Sequence, residues 1–407
     1  MTIGAHRSIP HAAGLSGAAS AVAICDRPKD LVESCRLLYL TGGLYTGGSE
    51  RQLYYLLRTL DRERYKPAVV TWNYCAEDVY VRPIQALGVP IYHFADGAGG
   101  MSKLSVFRRL VRMLEPEVVH SYSFYTNIAA AWGVIRTRAI AVGSVRSDFT
   151  WAKKESGVVL GRLSARWPTH QICNSLSAAA AVRESRSVFA PRHCDVVCNG
   201  LDLERFHSYE MPRRGRPRIL GLGYLLPVKR WDRLLRAAAR LKRAGVDFEM
   251  WIVGDGPLRA ALEDEARRLA VDDCVQLLPH TDDVPRLIAE CSFLAHVAEC
   301  EGRPNAVMEA MACGRAVVAT AVGDIPHLLD DGRTGFLVDS EDESLLAARM
   351  LQLSRDSQLC RRMGVQGRAK AEIMFSLDYL VRETLASYRT AGWVDHRRSC
   401  TEPVAAC

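Results

Sequence analysis

Short apolar runs alternate with longer amphipathic stretches along most of the 407-residue chain. The apolar runs have the length of buried strands, and the stretches between them repeat apolar residues at helical spacing. Because this alternation is typical of parallel sheets covered by helices, we expect an α/β fold. The predicted strands cover residues 36–40, 67–72, 89–93, 117–120, 140–145, 171–174, 195–198, 218–223, 248–253, 275–278, 293–297 and 316–320.

The alternation is interrupted near residue 210. Residues 211–218 read Met-Pro-Arg-Arg-Gly-Arg-Pro-Arg, a composition typical of a linker. Strands and helices alternate again beyond it. The sequence therefore predicts two Rossmann-like, doubly wound parallel-sheet domains that face each other across a cleft, with the ligand at the carboxyl ends of the strands.

Residues 301–314 carry the clearest chemical signal. Pro304 suits the first turn of a helix, and Gly314 suits the position just past its end. Glu301 then lies in the loop before the helix and Glu309 in its second turn, beside backbone N–H groups that have no partner within the helix. Carboxylates accept hydrogen bonds from hydroxyls, and free N–H groups bind phosphate oxygens. The expected ligand is a sugar nucleotide.

A glycine-rich loop follows the first predicted strand. It contains Gly47 and Gly48, and Ser49 is the predicted N-cap of the next helix. The loop lacks the Gly-x-Gly-x-x-Gly spacing of dinucleotide-binding proteins. Its backbone could approach a phosphate or an acceptor sugar, or its glycines could serve the turn alone.

Polar side chains follow several predicted strands of the first domain. They are His120, Tyr122, Arg146, Ser147 and Asp148. Ligands of parallel sheets bind at this edge, so each is a candidate for substrate contact. The alternative for each residue is that it caps a neighbouring helix.

Charge is distributed unevenly between the two halves. Of 53 basic and 46 acidic residues, 25 and 17 lie within residues 1–205, which leaves 28 and 29 beyond. The first half therefore carries about +8, which favours an anionic partner such as a membrane surface or an acidic acceptor. A helix predicted over 105–115 places Arg108, Arg109 and Arg112 opposite an apolar face. It could dock on a membrane or simply pack with a solvated basic face.

The termini and cysteines bear on location. We interpret residues 1–34 as a flexible leader, because Gly and Ser interrupt the apolar core of the signal-peptide-like residues 11–25. Thirteen cysteines without paired spacing indicate reduced thiols. No apolar run approaches the roughly 18 residues of a spanning helix. We expect a cytoplasmic protein, with or without peripheral contact at the inner face of the membrane, and no nucleic-acid partner.

The order of motifs resembles that of the retaining glycosyltransferases of family four, which have the GT-B fold. The resemblance covers about residues 36–390. Its motifs are the Gly47-Gly48-x-Glu50 loop, the Asn-Gly-x-Asp segment at 199–206, residues 223–229, the Gly254 turn, the glutamates Glu301 and Glu309, and segments 322–326 and 332–338. It implies an acceptor-side domain over 35–209, a donor domain over 210–375, and a helix over 377–388 that crosses back to the first domain before a disordered tail.

The resemblance also implies residue roles. Glu301, Lys229 and His120 would be the catalytic residues: Lys229 contacts the donor pyrophosphate and Glu301 the hydroxyls of the transferred sugar. Glu309 would hold the ribose. The remaining donor-side residues would be Gly47, Gly48, Tyr224, Gly254, Arg303, Pro304, Asn305 and Ala306, and the acceptor-side residues Tyr122 and Arg146.

Three positions depart from the family pattern. Tyr224 stands where an arginine is common, so Arg230, Arg146 or another arginine would supply the second pyrophosphate cation. Ala298 replaces a frequent serine. In His120-Ser121-Tyr122, a tyrosine replaces the second histidine, and it can donate a hydrogen bond but hardly act as a base at neutral pH.

The predicted function is transfer of a sugar from a nucleotide donor, UDP by preference, to a saccharide, lipid-linked or small-molecule hydroxyl. Retention by front-face attack is expected, because no side chain is a convincing nucleophile for double displacement. No Asp-x-Asp sequence is present, so no metal or other cofactor is expected. Two alternatives stay open: a sugar-nucleotide-binding subunit without catalysis, and a UDP-sugar epimerase on the same fold.

Overall fold

The computed structural model describes residues 22–23, 35–45, 47–146, 149–185, 187–212 and 215–395, the side chains of 150 and 151 excepted. These residues form two parallel α/β domains. Both are doubly wound, and the predicted fold class is confirmed. The last strand of the first domain ends at Val196 and the first strand of the second begins at Arg218, so the predicted boundary falls in the connection between them.

The first domain contains an eight-stranded parallel sheet with helices on both faces. Its spatial order is β1-β4-β3-β2-β5-β6-β7-β8. The strands are β1 (Val22–Ala23), β2 (Leu37–Thr41), β3 (Pro67–Thr71), β4 (Ile91–His93), β5 (Val118–Ser121), β6 (Ile140–Val145), β7 (His170–Cys173) and β8 (His193–Val196). The helices are α1 (Gly48–Thr59), α2 (Arg62–Tyr65), α3 (Val81–Ala86), α4 (Gly100–Leu114), α5 (Asn127–Gly133), α6 (Phe149–Glu155), α7 (Val158–Arg166) and α8 (Leu176–Glu184).

The second domain contains a six-stranded parallel sheet in the order β11-β10-β9-β12-β13-β14. Its strands are β9 (Arg218–Leu222), β10 (Glu249–Val253), β11 (Val275–Leu278), β12 (Phe293–His296), β13 (Ala316–Thr320) and β14 (Gly335–Val338). Its helices are α9 (Trp231–Arg243), α10 (Arg259–Arg268), α11 (Val284–Ala289), α12 (Asn305–Ala312), α13 (Ile325–Leu328), α14 (Glu343–Arg355) and α15 (Ser357–Met374).

The central strands are buried, and this explains why short apolar runs in the sequence predicted them. Every residue of β2 and of β13 is buried, since helices cover both faces of each sheet. Burying one large aliphatic side chain contributes about 1.5–3 kcal/mol, so runs of this kind stabilise the interior of each domain. The carboxyl ends of both sheets are thereby fixed on either side of one cleft.

A final helix, α16 (Leu377–Thr390), crosses back to the first domain. Leu380, Leu385, Tyr388 and Trp393 belong to the same buried cluster as side chains of β2 and α1. The crossing helix implied by the family resemblance is therefore present in the structure.

Both termini of the described chain are better ordered than predicted. Within the predicted leader, Val22–Ala23 pairs with β4 as an edge strand, and the rest of that segment lies outside the described residues. The tail was predicted to be disordered beyond Trp393. The Asp395 carboxylate, however, forms ion pairs with the guanidinium groups of Arg36 at 2.8 Å and Arg64 at 2.9 Å. The tail prediction is wrong at this residue.

The prediction of reduced thiols is wrong for one pair of cysteines. Cys173 at the end of β7 and Cys194 on β8 form a disulfide, with their Cα atoms 6.5 Å apart. Their sequence separation of 21 gives no hint of this contact, which arises only when β7 and β8 pair. The free thiols among the described residues include Cys35, Cys291 and Cys313, all buried.

The basic helix α4 packs as an ordinary surface helix. Phe107, Leu110, Val111 and Leu114 are buried beneath it. The Arg108 guanidinium lies 5.0 Å from the ring centroid of Trp132, a residue of α5. The helix therefore packs with its apolar face buried and its basic face in solvent, which is the second of the two alternatives given for it in the sequence analysis. Among the described helices, none combines the length and apolar character that crossing a bilayer requires.

Candidate active site

Two adjoining cavities lie between the domains. The donor cavity, about 340 Å³, is lined by every predicted donor-side residue. The second cavity, called the inner cavity below, has a volume of about 610 Å³ and shares part of this wall. The donor cavity is lined by Gly47, Gly48, Tyr224, Lys229, Gly254, Glu301, Arg303, Pro304, Asn305, Ala306 and Glu309, among others. The inner cavity is lined by Gly48, Ser49, Arg146, Asn174, Asn199, Val228, Cys300, Glu301, Gly302, Arg303 and Asn305.

Glu301 is held by two cationic or hydrogen-bonding partners. Lys229, at the end of a short 3₁₀ turn, forms an ion pair with its carboxylate, and His296 Nε2 lies 3.0 Å from the same oxygen. Burial by itself raises the pKa of Glu301. The hydrogen bond and charge of His296, followed by those of Lys229, outweigh burial and lower that pKa from 4.5 to about 2. Glu301 is therefore an ionised acceptor at neutral pH.

Sequence reasoning missed His296. It is the last residue of β12, five positions before Glu301, and its side chain is almost fully buried. The available signal was its position at the carboxyl end of a strand, where ligands of parallel sheets gather.

Glu309 lies in the second turn of α12, as predicted, and contacts the opposite domain. Arg51 of α1 forms an ion pair with it, with Nη2 2.8 Å from Oε1. Both side chains line the donor cavity. A ribose that hydrogen-bonds Glu309 must share or displace Arg51. Arg51 was also missed, although it directly follows the glycine-rich loop.

The glycine-rich loop approaches the cleft through its backbone. Helix α1 begins at Gly48 after an N-cap at Gly47 that makes no side-chain cap bond, so the predicted Ser49 cap is wrong. The Ser49 hydroxyl instead donates to Glu50. A Cβ on Gly48 would lie 3.1 Å from Asn305 Nδ2 of the second domain. Glycine at this position keeps a narrow passage open between the two walls.

Tyr224 lies at the rim of the donor cavity, with 51% of its surface exposed. It supplies no cation, and the predicted substitute Arg230 does not supply one either. The Arg230 guanidinium pairs with Asp232 at 3.1 Å and Glu299 at 3.0 Å and lines a different surface. Arg146 lines the inner cavity instead.

On the acceptor side, Arg146 reaches the inner cavity and Tyr122 does not. Tyr122 is 1% exposed, and the Arg146 guanidinium stacks over it, 3.8 Å from the ring centroid. Contrary to the prediction, the structure places Tyr122 beneath the site, where its ring supports the cation. Ser147 and Asp148 lie outside the described residues.

Contrary to the prediction, His120 lines neither the donor cavity nor the inner cavity. It is 1% exposed, with Nδ1 2.7 Å from the Tyr388 hydroxyl of α16 and Nε2 3.0 Å from Ser144 Oγ. Burial, aided by the positive charge of Arg146, lowers its pKa well below 6.5. Both ring nitrogens are occupied, so His120 fastens the crossing helix to the sheet.

Across the described ranges, no three His, Cys, Asp or Glu side chains are grouped closely enough to hold a metal ion. What the donor cavity does provide is Lys229, the carboxylates of Glu301 and Glu309 among others, and the N–H groups at the start of α12. This arrangement can bind hydroxyls and phosphate oxygens at once.

Two family models match the chain, one for each domain. The model described as Glycosyltransferase Family 4 matches residues 46–205, and that described as Glycosyl transferases group 1 matches residues 216–356. Together they span most of the chain and separate where the two sheets separate.

Individual relatives match over shorter stretches. N-acetyl-alpha-D-glucosaminyl L-malate synthase of Bacillus anthracis is 31% identical over 156 residues, 38% of this chain and 41% of that protein. The amylovoran biosynthesis glycosyltransferase AmsK of Erwinia amylovora is 31% identical over 198 residues, 46% of this chain and 49% of that protein. The chain spans about half the length of the curated relatives it matches.

Among solved structures, HepE of Anabaena in complex with UDP is similar in fold. The two structures superpose with a TM-score of 0.74 over 87% of this chain and 100% of that chain, at 19% identity. At this identity the likeness concerns the fold of both domains and their arrangement.

Proposed function

This chain belongs to the family-four (group 1) glycosyltransferases of the GT-B fold, and we propose that it moves a sugar from a UDP-sugar to an acceptor hydroxyl with retention of configuration. One observation carries the proposal. Lys229, Glu301, Glu309 and the start of α12 line a single cavity, and Gly47 and Gly48 close its other wall. A nucleoside diphosphate sugar is the ligand class whose groups match all of these at once.

The donor would bind in an extended form along the cavity. Glu309 accepts hydrogen bonds from the ribose hydroxyls, and Glu301 accepts them from the transferred sugar. The N–H groups of the first turn of α12 and the ammonium of Lys229 face the diphosphate. UDP is preferred because HepE, the structural neighbour at TM-score 0.74, is bound to UDP.

In the proposed reaction, the bond between the anomeric carbon and the diphosphate oxygen breaks while a bond to the acceptor oxygen forms on the same face. The acceptor proton passes to the departing diphosphate oxygen. Lys229 and the N-terminus of α12 stabilise the negative charge that develops on the leaving group. Because the leaving group takes the proton, no histidine base is required, which is consistent with the buried position of His120.

The acceptor is proposed to be a saccharide, a lipid-linked saccharide or a small hydroxylated molecule. The relatives named above support this range, since one is an amylovoran biosynthesis glycosyltransferase and another is an N-acetyl-alpha-D-glucosaminyl L-malate synthase. We also propose that the reaction needs no metal, with Lys229 and the helix dipole taking the role of a cation, and that it takes place in the cytoplasm.

The test starts from binding and proceeds to products. Thermal shift with UDP, GDP and ADP should show the largest stabilisation with UDP. UDP-sugars are then incubated with candidate acceptors, and products are identified by mass spectrometry and their anomeric configuration by NMR. We expect retained configuration and full activity in excess EDTA.

The matched control is Glu301→Gln, which should bind UDP and form product about 100-fold or more slowly. An inverted product would contradict the front-face mechanism. Activity lost in EDTA and restored by manganese would contradict metal independence, and sugar isomers formed without any acceptor would indicate an epimerase.

A further inference from the structure

Arg303 is a buried cation whose hydrogen-bonding capacity is only partly used. Its side chain is 1% exposed, and Nη1 lies 3.4 Å from Asp324 Oδ2, a long contact. Among the described residues, neither Nε nor Nη2 has a hydrogen-bond partner. Leaving charged donors buried and unpaired is costly, so this position favours an additional acceptor. Arg303 lines both the donor cavity and the inner cavity.

Asp324 is a shared partner of Arg303, because its carboxylate also accepts hydrogen bonds from the other domain. The backbone N–H groups of Leu176 and Ser177, at the start of α8, donate to its two oxygens at 3.1 and 2.8 Å. Asp324 therefore joins the two domains by capping a helix of the first one. Arg303 keeps two guanidinium nitrogens, Nε and Nη2, without an acceptor among the described residues.

A second arginine faces the same space from the first domain. Arg146 lines the inner cavity, and its Nε has no hydrogen-bond partner in the described structure. The one acidic residue among the lining side chains is Glu301, which Lys229 and His296 already engage. Glu50 lies close enough for the charge of Arg146 to lower its pKa, although burial raises that pKa more. Each wall of the inner cavity thus contributes an arginine with at least one guanidinium N–H that has no acceptor among the described residues.

We propose that the inner cavity is a subsite for a carboxylate or phosphate carried by the substrate, with Arg303 as its specificity-determining residue and Arg146 as the second cation. The proposal rests on the proposed glycosyltransferase function and narrows it to an acidic substrate. The anionic group could belong to the transferred sugar or to the acceptor. Guanidinium groups are suited to both, because their planar fork matches carboxylate and phosphate oxygens.

The experiment measures binding of matched neutral and anionic probes to the full chain by titration calorimetry. The donor arm compares UDP-glucuronic acid with UDP-glucose. The acceptor arm compares glucose 6-phosphate with glucose on protein saturated with UDP. We expect the anionic probe to bind about tenfold or more tightly in one arm, the size of one charge-assisted contact. The arm that shows the preference identifies the source of the anion.

Arg303→Met keeps an unbranched side chain without the guanidinium and should remove most of that preference. Arg146→Met should reduce it, which keeps the proposal testable if Arg303→Met does not fold. Arg361→Met, which removes an exposed arginine of α15, is the matched control and should retain the full preference.

Two failures are distinguishable. UDP binding without a preference in either arm, or a preference unchanged in Arg303→Met and Arg146→Met, overturns the anion subsite alone. Absence of any UDP binding by the correctly folded wild-type chain overturns the proposed function itself.

Discussion

The two walls of the cleft use their polar residues in different ways. On the donor wall, charged side chains face the cavity and already have partners there: Lys229 pairs with Glu301, and Glu309 reaches across to the other domain. On the opposite wall, His120 and Tyr122 point into the interior. The donor wall is thus a preassembled binding surface, whereas much of the acceptor wall's polarity serves to hold the domain together.

The largest effect should come from Glu301→Gln, which removes the charge that we assign to the transferred sugar. Turnover should fall about 100-fold or more, by analogy with loss of one preorganised polar contact in an active site. UDP affinity should change little, because in the proposed arrangement Glu301 contacts the transferred sugar and Glu309 the nucleoside. Steady-state kinetics and calorimetry measure the two quantities. An equal loss of UDP affinity would show that the donor wall does not divide its roles in this way.

Glu309→Ala should have the next largest effect, and on binding rather than on chemistry. Loss of a charged acceptor for the ribose hydroxyls should weaken UDP binding about tenfold or more. Calorimetry with UDP measures the loss. Uridine should lose affinity by a similar factor, because it carries the same ribose. A loss seen with UDP and absent with uridine would place Glu309 at the phosphates instead.

His120→Leu should reduce stability and leave the donor site intact. The substitution strands the buried Tyr388 hydroxyl and Ser144 Oγ, so the free energy of unfolding should fall by about 2 kcal/mol. Tyr388→Phe, which removes one of the same hydrogen bonds, should cost about 1 kcal/mol. Urea denaturation checks both values. Loss of turnover in His120→Leu with unchanged stability would indicate that His120 takes part in the reaction.

The smallest effect is expected from pH. Because its partners lower the pKa of Glu301 from 4.5 to about 2, the stability that its charge contributes is complete above about pH 4.5 and is lost as pH falls toward 2. The difference in unfolding free energy between wild type and Glu301→Gln should therefore shrink as the pH falls from about 4.5 toward 2. A difference that does not change over this acidic range would mean that the fold does not lower the pKa of Glu301.

The sequence predicted the donor wall well because its geometry is local. The spacing of Pro304 and Gly314 sets the ends of α12, and that helix alone places Glu309 one turn beyond its start. The acceptor wall depends on distant partners. His120 turns inward because Tyr388, 268 residues later, meets it there. Position at the end of a strand indicates the edge of the sheet but not the face on which a side chain points.

The same reason accounts for the other residues that were missed. Arg51 is an ordinary arginine in the sequence, and only the meeting of the two domains brings it onto Glu309. Arg303 was predicted as a donor-side residue, but its ion pair with Asp324, another residue of the second domain, becomes visible only in the fold. The disulfide between Cys173 and Cys194 likewise depends on the pairing of β7 with β8. None of these contacts produces a repeating pattern of residues in the sequence.

The crossing helix has a consequence for how the protein is made. Leu380, Leu385, Tyr388 and Trp393 complete the interior of a domain whose other members precede residue 200. On the ribosome, the first domain therefore emerges with part of its hydrophobic interior exposed to solvent. That surface stays uncovered until α16 has been synthesised. A fragment cut at residue 210 would retain that open surface, whereas supplying residues 376–395 as a separate peptide should close it.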